Sequence, residues 1–120
     1  MCIRDRNVGV DVIILDGGLG RQLQAMGAPF RQPEWSALAL MEAPQTVRDA
    51  HDAFIAAGAD VISTNTYAIV PFHIGEERYE AESEELLTLA AKLARDAADA
   101  VPHAVQVAAS VPPMLSLIHI

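Results

Sequence analysis

Residues 12–20 read Val-Ile-Ile-Leu-Asp-Gly-Gly-Leu-Gly, and few folds accept such a run. Four apolar residues without polar alternation suit a strand covered on both faces, as in a parallel sheet. Asp16 then stands where the strand ends. Gly17, Gly18 and Gly20 lack a Cβ, so the backbone there can turn sharply or approach a ligand closely. A carboxylate at the carboxyl end of a buried parallel strand lies where α/β proteins place their ligands. The plainer alternative is that the glycines make only a turn.

The chain beyond it alternates between helical and extended patterns. Leu19, Leu23 and Met26 recur at helical spacing, predicting a helix over residues 20–26 ended at Gly27. Residues 28–34, with Pro29 and Pro33, read as loop. Residues 35–41 favour helix, and Pro44 breaks it or starts the next element. Over residues 45–57, Val47, Ala50, His51, Phe54 and Ile55 share one helical face, and Gly58 follows as a cap. His51 on that apolar stripe reads as packing. Residues 60–64 form a second strand leading into Asn65, Thr66 and Tyr67. Residues 68–79, with Pro71, His73 and Gly75, read as loop with at most a turn of helix. The clearest helix is residues 80–100, with Leu86, Leu89, Ala90, Leu93 and Ala97 as its buried stripe. Glutamates crowd its start and Lys92 and Arg95 come later, complementing the helix dipole. Residues 105–110 form a third strand.

Such alternation predicts an α/β fold of parallel β/α units with right-handed crossovers. All three strand ends carry polar residues: Asp16, then Thr64-Asn65-Thr66, then Ser110. A parallel sheet places these on one rim. Three strands cannot close a barrel, so the chain is expected to be part of a larger domain.

Composition narrows the function. Eight basic against 16 acidic residues give a net charge of −8 and a pI near 4.7, which argues against nucleic-acid binding. With 52% hydrophobic residues and a mean hydropathy of +0.23, the chain has the composition of a packed domain. No apolar run approaches the ~18 residues needed to span a bilayer, so no membrane partner is expected. Cys2 is the single cysteine. It allows no internal disulfide and no thiolate-rich zinc site, and it suits a reducing, cytoplasmic compartment. Residues 1–6 and 115–120 resemble translated sequencing-adapter read-through, so the native domain is expected over residues 7–114.

Asp16-Gly17-Gly18-Leu19-Gly20, then Glu34-Trp35-Ser36, then His51 and residues 56–67 (Ala-Ala-Gly-Ala-Asp-Val-Ile-Ser-Thr-Asn-Thr-Tyr) resemble the homocysteine S-methyltransferase family in order and spacing. Ser110-Val111-Pro112-Pro113-Met114 is similar to a segment of one bacterial and fungal branch. The resemblance implies the N-terminal, incomplete part of a TIM-type (β/α)8 barrel, matching about its first three strands. It implies methyl transfer to the sulfur of homocysteine to give methionine, with Zn2+ held by three cysteines. Those cysteines are expected downstream of this chain, so neither metal ligands nor catalytic residues are expected within it, and the fragment is expected to be inactive. A metal makes chemical sense, because a free thiol is mostly protonated at neutral pH and a bound one becomes a thiolate.

For this chain the resemblance implies that Asp16 and Gly17 contact the amino-acid portion of homocysteine, with Asp16 pairing with its ammonium group. Trp35 and Ser36 match a pair that helps to hold the same substrate, with a core anchor as the alternative for Trp35. Thr64, Asn65 and Tyr67 match the second strand end lining the pocket, with strand-end hydrogen bonding as the alternative for residues 64–66. The second partner is a small methyl donor, and the branch resemblance favours a sulfonium, S-methylmethionine or S-adenosylmethionine, over betaine. Two other readings compete. One is a β/α barrel enzyme binding phosphate at the 17–20 loop, disfavoured by the acid beside it. The other is a small acidic, non-enzymatic interaction domain, disfavoured by strands too apolar to stand uncovered.

Overall fold

The computed structural model describes residues 12–112. The expectations for residues 1–6 and 113–120, Cys2 included, lie outside them. Among the described residues the elements run α1 (Leu19–Ala25), α2 (Ser36–Glu42), α3 (Pro44–Ala56), β1 (Val61–Ser63), α4 (Pro71–Ile74), α5 (Glu76–Asp99) and β2 (Gln106–Ala108). The fold is mixed α/β with parallel strands.

β1 pairs in parallel with β2, in the register Val61–Gln106, Ile62–Val107 and Ser63–Ala108. On its other side β1 meets the segment preceding α1 through a parallel bridge between Leu15 and Val61. Backbone bonds from Val61 N–H to Ile14 O at 3.2 Å and from Asp16 N–H to Val61 O at 3.0 Å hold that contact. β1 is therefore central, and Asp16, Thr64 and Ser110 lie on one rim, as the element order predicts.

The expected first strand differs. Residues 12–15 are extended but form only that bridge, and Val12, Ile13 and Leu15 are 51%, 66% and 66% exposed. Among the described residues β1 is their one strand partner, which leaves one edge of the segment open, and the side chains of Ile13 and Leu15 on one face are uncovered. The third strand is also shorter than expected, Gln106–Ala108 in place of residues 105–110.

The helices keep their predicted places with shifted ends. Pro44 stands in the first turn of α3, where its missing N–H costs no intrahelical bond. The larger change is in residues 68–79, which hold α4 and the first turn of α5. Gly75, at φ 89°, separates the two helices, a backbone conformation that a Cβ disfavours. α5 then begins at Glu76 rather than residue 80, with Glu76 and Glu77 at the positive end of its dipole. Lys92 and Arg95 stop short of its last turn and pair with Asp96 at 2.7 Å and Asp99 at 2.9 Å. On an exposed face such pairs contribute little.

The core has two parts. Leu23, Leu40, Val47, Ile69 and Leu86 fill the space among the helices, and Ile55, Ile62, Ala94, Ala97 and Val105 seal α3 and α5 against the two strands. Alanines at 50, 90, 94, 97 and 98 are all buried and keep side-chain bulk low where α3 and α5 pack. Leu23 is 0% exposed and Leu87 on α5 is 41% exposed. Leu23→Ala should therefore cost about 2–5 kcal/mol, through a cavity, whereas Leu87→Ala should stay within about 0.5 kcal/mol. Urea unfolding of the two variants, read by far-UV circular dichroism, checks the contrast.

Candidate functional site

The rim is built outward from Asp16. Its carboxylate accepts the backbone N–H of Ser63 at 2.8 Å on Oδ2 and the Ser63 hydroxyl at 3.2 Å on Oδ1. At the opposite end of the same contact, Asp60 Oδ2 accepts the N–H of Ile14 at 2.9 Å. Two carboxylates thus lace the lead segment to β1, supplementing a ladder that is only one bridge long. Asp16 is half-buried, and each carboxylate oxygen still has a lone pair beyond its bond to Ser63.

The glycines after Asp16 serve close approach, not a left-handed turn. Among the described residues, the glycines at positive φ are Gly27, Gly58 and Gly75. A Cβ on Gly17 would come within 3.3 Å of the Phe54 ring, and one on Gly20 within 3.1 Å of Phe30. Both neighbours are the protein's own aromatic rings. The loop therefore sits directly on α3, through Phe54, and beside α2, since the Gly20 position is also 4.0 Å from the Ser36 Cβ.

The second strand end is buried and bonded to itself. Thr66 Oγ1 donates to Ser110 O at 2.6 Å, so Thr64 Oγ1 must donate in its 2.9 Å contact with Thr66 Oγ1. Thr64 Oγ1 accepts the Ser110 N–H at 3.2 Å in return. This closed circuit ties the end of β1 to the chain leaving β2. Asn65 Nδ2 donates to Ser36 O at 3.1 Å and so holds the start of α2 near the rim. Tyr67 is 53% exposed.

Trp35 departs from the core-anchor alternative. It is 39% exposed and stands edge-to-face with Phe30, ring centroids 5.7 Å apart. Its backbone, at φ 51° and ψ −128°, occupies a region that bulky residues rarely adopt. Such strain persists only where surrounding contacts impose it, and here it turns the chain into α2 immediately before Ser36. The structure thus joins Asp16 to Ser63 beside Thr64, Asn65 to Ser36 and Gly17 to Phe54, with no direct bond between Asp16 and Ser36 or Asn65 among those found. Trp35 joins them by sequence adjacency to Ser36, and Tyr67 by following Thr66.

Reading the sequence misses one participant. Ser63 lies inside the strand pattern, and nothing in its spacing reveals that it is the Asp16 partner. His51 is buried as expected, at 0% exposure, and among the described residues neither ring nitrogen has a hydrogen-bond partner. Burial pushes its pKa below the usual 6.5, outweighing the Asp16 carboxylate, which acts in the opposite direction.

A groove of about 400 Å³ opens where β1 and β2 end against α5, lined by Thr64, Thr66, Tyr79, Leu87, Ser110 and Val111. Asp16 and Trp35 do not line it. Among the described residues, no three His, Cys, Asp or Glu side chains converge as a metal site, and no helix is long and apolar enough to cross a membrane.

A profile of the family described as homocysteine S-methyltransferase matches residues 13–120. Homocysteine S-methyltransferase 1 of Zea mays is 41% identical over 87 residues, covering 72% of this chain and 27% of that protein. A selenocysteine methyltransferase of Astragalus bisulcatus is 36% identical over 72% of this chain and 26% of its own length. The crystal structure of the homocysteine methyltransferase MmuM from Escherichia coli, in its metallated form, superposes with a TM-score of 0.78 at 31% identity, over 92% of this chain and 41% of that one. The chain thus spans about a quarter of the length of the curated relatives it matches.

The buried imidazole makes stability depend on pH. Unfolded, His51 takes up a proton near 6.5, whereas the folded state resists it until lower pH. Stability contributed by the neutral ring is complete above 6.5 and is lost as pH falls from there toward the folded pKa. The loss runs at up to about 1.4 kcal/mol per pH unit within that window. The urea midpoint should be lower at pH 5.5 than at pH 7.5, and His51→Phe, if it folds, should flatten the difference.

Proposed function

This chain belongs to the homocysteine S-methyltransferase family, and we propose that its Asp16 rim holds the amino-acid end of homocysteine during methyl transfer to the sulfur. The observation that carries the reading is the Asp16 carboxylate, half-buried at a strand end and steadied by two bonds from Ser63. A fixed carboxylate with lone pairs to spare is a receptor for an ammonium group. Gly17 beside it has no side chain to obstruct a ligand. Trp35 and Ser36 form the neighbouring wall. Thr64 and Asn65 act chiefly as its frame, because their polar groups bond within the protein. Tyr67 offers an exposed ring at the same strand end.

The larger assembly is a (β/α)8 barrel of which this chain supplies the first three β/α units. The exposed side chains of Val12, Ile13 and Leu15 suit such a setting, since parallel sheets occur with both faces covered. Zn2+ held elsewhere in that assembly would supply a Lewis acid that favours the thiolate form of the homocysteine sulfur. Among residues 12–112 no three His, Cys, Asp or Glu side chains converge, so the metal's ligands would come from other parts of the protein, and the role of this chain would be to bind and orient the amino acid. The methyl donor is a small sulfonium, S-methylmethionine or S-adenosylmethionine, and the setting is cytoplasmic.

Asp16→Asn in the full-length enzyme keeps the shape and removes the charge. Charge-assisted hydrogen bonds contribute roughly 1.5–3 kcal/mol, so the homocysteine KM should rise on the order of ten- to a hundredfold. Zinc content, measured by atomic absorption, should not change. Loss of zinc with homocysteine affinity intact would assign Asp16 to support of the metal instead. The 120-residue chain by itself should yield no methionine when homocysteine, donor and zinc are supplied.

A further inference from the structure

Trp35 holds its backbone at φ 51°, a conformation that a bulky residue keeps only where neighbouring contacts impose it. The turn over residues 31–35 supplies part of that restraint, closed by the bond from Trp35 N–H to Arg31 O at 2.8 Å. Arg31, Gln32 and Pro33 are themselves exposed, so the turn needs a support of its own. His73 provides one. Its ring, on α4, donates from Nδ1–H to Pro33 O at 3.0 Å, since a carbonyl oxygen can only accept. α4 is a firm mount, because Ile74 beside His73 is buried in the core among the helices. Glu34 lies at the same corner, in a groove shared with Ile74, Gly75 and Glu76, but its buried Oε1 has no partner among the described residues. Among those residues the His73 bond is therefore the hydrogen bond that joins the turn to α4. A bond at the surface contributes little to global stability. What it fixes is the turn.

From the turn, two routes of contact lead to the rim. The Trp35 ring stands edge-to-face with Phe30 at 5.7 Å, and Phe30 lies 3.1 Å from where a Cβ on Gly20 would be, in the loop that follows Asp16. Ser36, next in sequence, accepts the Asn65 side-chain amide on its carbonyl at 3.1 Å. We propose that His73 is a positioning residue for homocysteine: through Pro33 it fixes the turn that sets Trp35 and Ser36 as a wall of the site. The proposal rests on the reading of Trp35 and Ser36 as that wall. Without the bond the turn is free to move before the ligand arrives, and ordering it on binding then costs affinity. His73 acts at one remove, so its whole effect passes through the residues of the turn.

The test uses the zinc-loaded full-length enzyme and L-homocysteine, with Kd measured by calorimetry for the wild type, His73→Ala, His73→Asn, Trp35→Ala and the double variant His73→Ala/Trp35→Ala. Loss of one hydrogen bond should weaken binding by His73→Ala about two- to tenfold, while its urea midpoint and zinc content match the wild type. His73→Asn carries an amide nitrogen where Nδ1 stood and should bind like the wild type. In the Trp35→Ala background, His73→Ala should add little, because the wall through which it acts has already been lost. If His73→Ala does not fold, His73→Leu, which keeps the bulk without the donor, takes its place. An unchanged Kd in the variant without the donor, failure of His73→Asn to restore binding, or full additivity with Trp35→Ala overturns the proposal. Should Trp35→Ala be weakened while His73 proves indifferent, only this inference falls. Should Trp35→Ala bind like the wild type, the reading of the wall fails and takes this inference with it.

Discussion

Residues 60–64 accept a neighbour on each side, and every other contact at the rim depends on that. To one side the ladder with β2 runs three residues in register. To the other it is a single bridge, made firm by Asp60 at one end and Asp16 at the other. A parallel pair so short has few backbone bonds to spare, so side-chain acceptors replace the missing rungs. Replacement has a consequence: the same carboxylate that anchors the lead segment is held rigidly at the strand ends, where α/β proteins bind ligands. Structural anchoring and ligand recognition are one arrangement here, because preorganised charge is what an ammonium group needs.

Close packing determines which residues can surround that charge. Gly17 and Gly20 are small because Phe54 and Phe30 stand 3.3 and 3.1 Å from where their Cβ atoms would be. Those contacts hold the loop against α3 and set Gly20 beside Ser36 at the start of α2. Electrostatics then divides the polar residues into two sets. Thr64, Thr66, Asn65 and Ser110 satisfy one another or the backbone. Asp16 keeps unspent acceptor capacity toward solvent, and His51 has polar atoms with nothing to bond. Unspent capacity marks function more sharply than polarity does, since satisfied groups have already committed their bonds.

Much of this was legible in the sequence. The order of elements, the parallel pairing and the shared rim followed from apolar periodicity and from polar residues closing each extended run. The motifs from Asp16 to Gly20 and across residues 56–67 also carried the family. Periodicity fails where a boundary depends on a single backbone conformation, as at Gly75, which moved the start of α5 from residue 80 to Glu76, whereas α4 is the single turn of helix allowed within residues 68–79. It fails again for residues 12–15. An apolar run predicts that a segment can be covered on both faces, not that a covering layer is at hand, and Ile13 and Leu15 stand 66% exposed.

Local chemistry is written along the chain: which residues can be strand, helix or cap, and which strand ends are polar. Partnership across the fold is not, because it depends on distances between residues far apart in sequence. Asp16 meets Ser63 across 47 positions, Asn65 meets Ser36 across 29, and Thr66 meets Ser110 across 44. Only tertiary structure decided that the threonines spend their hydroxyls on each other, that Trp35 stays at the surface, and that His51 is sealed without a partner. The sequence determined that a carboxylate would stand at the rim. Packing decided what that carboxylate would face, because close packing assigns each side chain its neighbours and leaves no room for another choice.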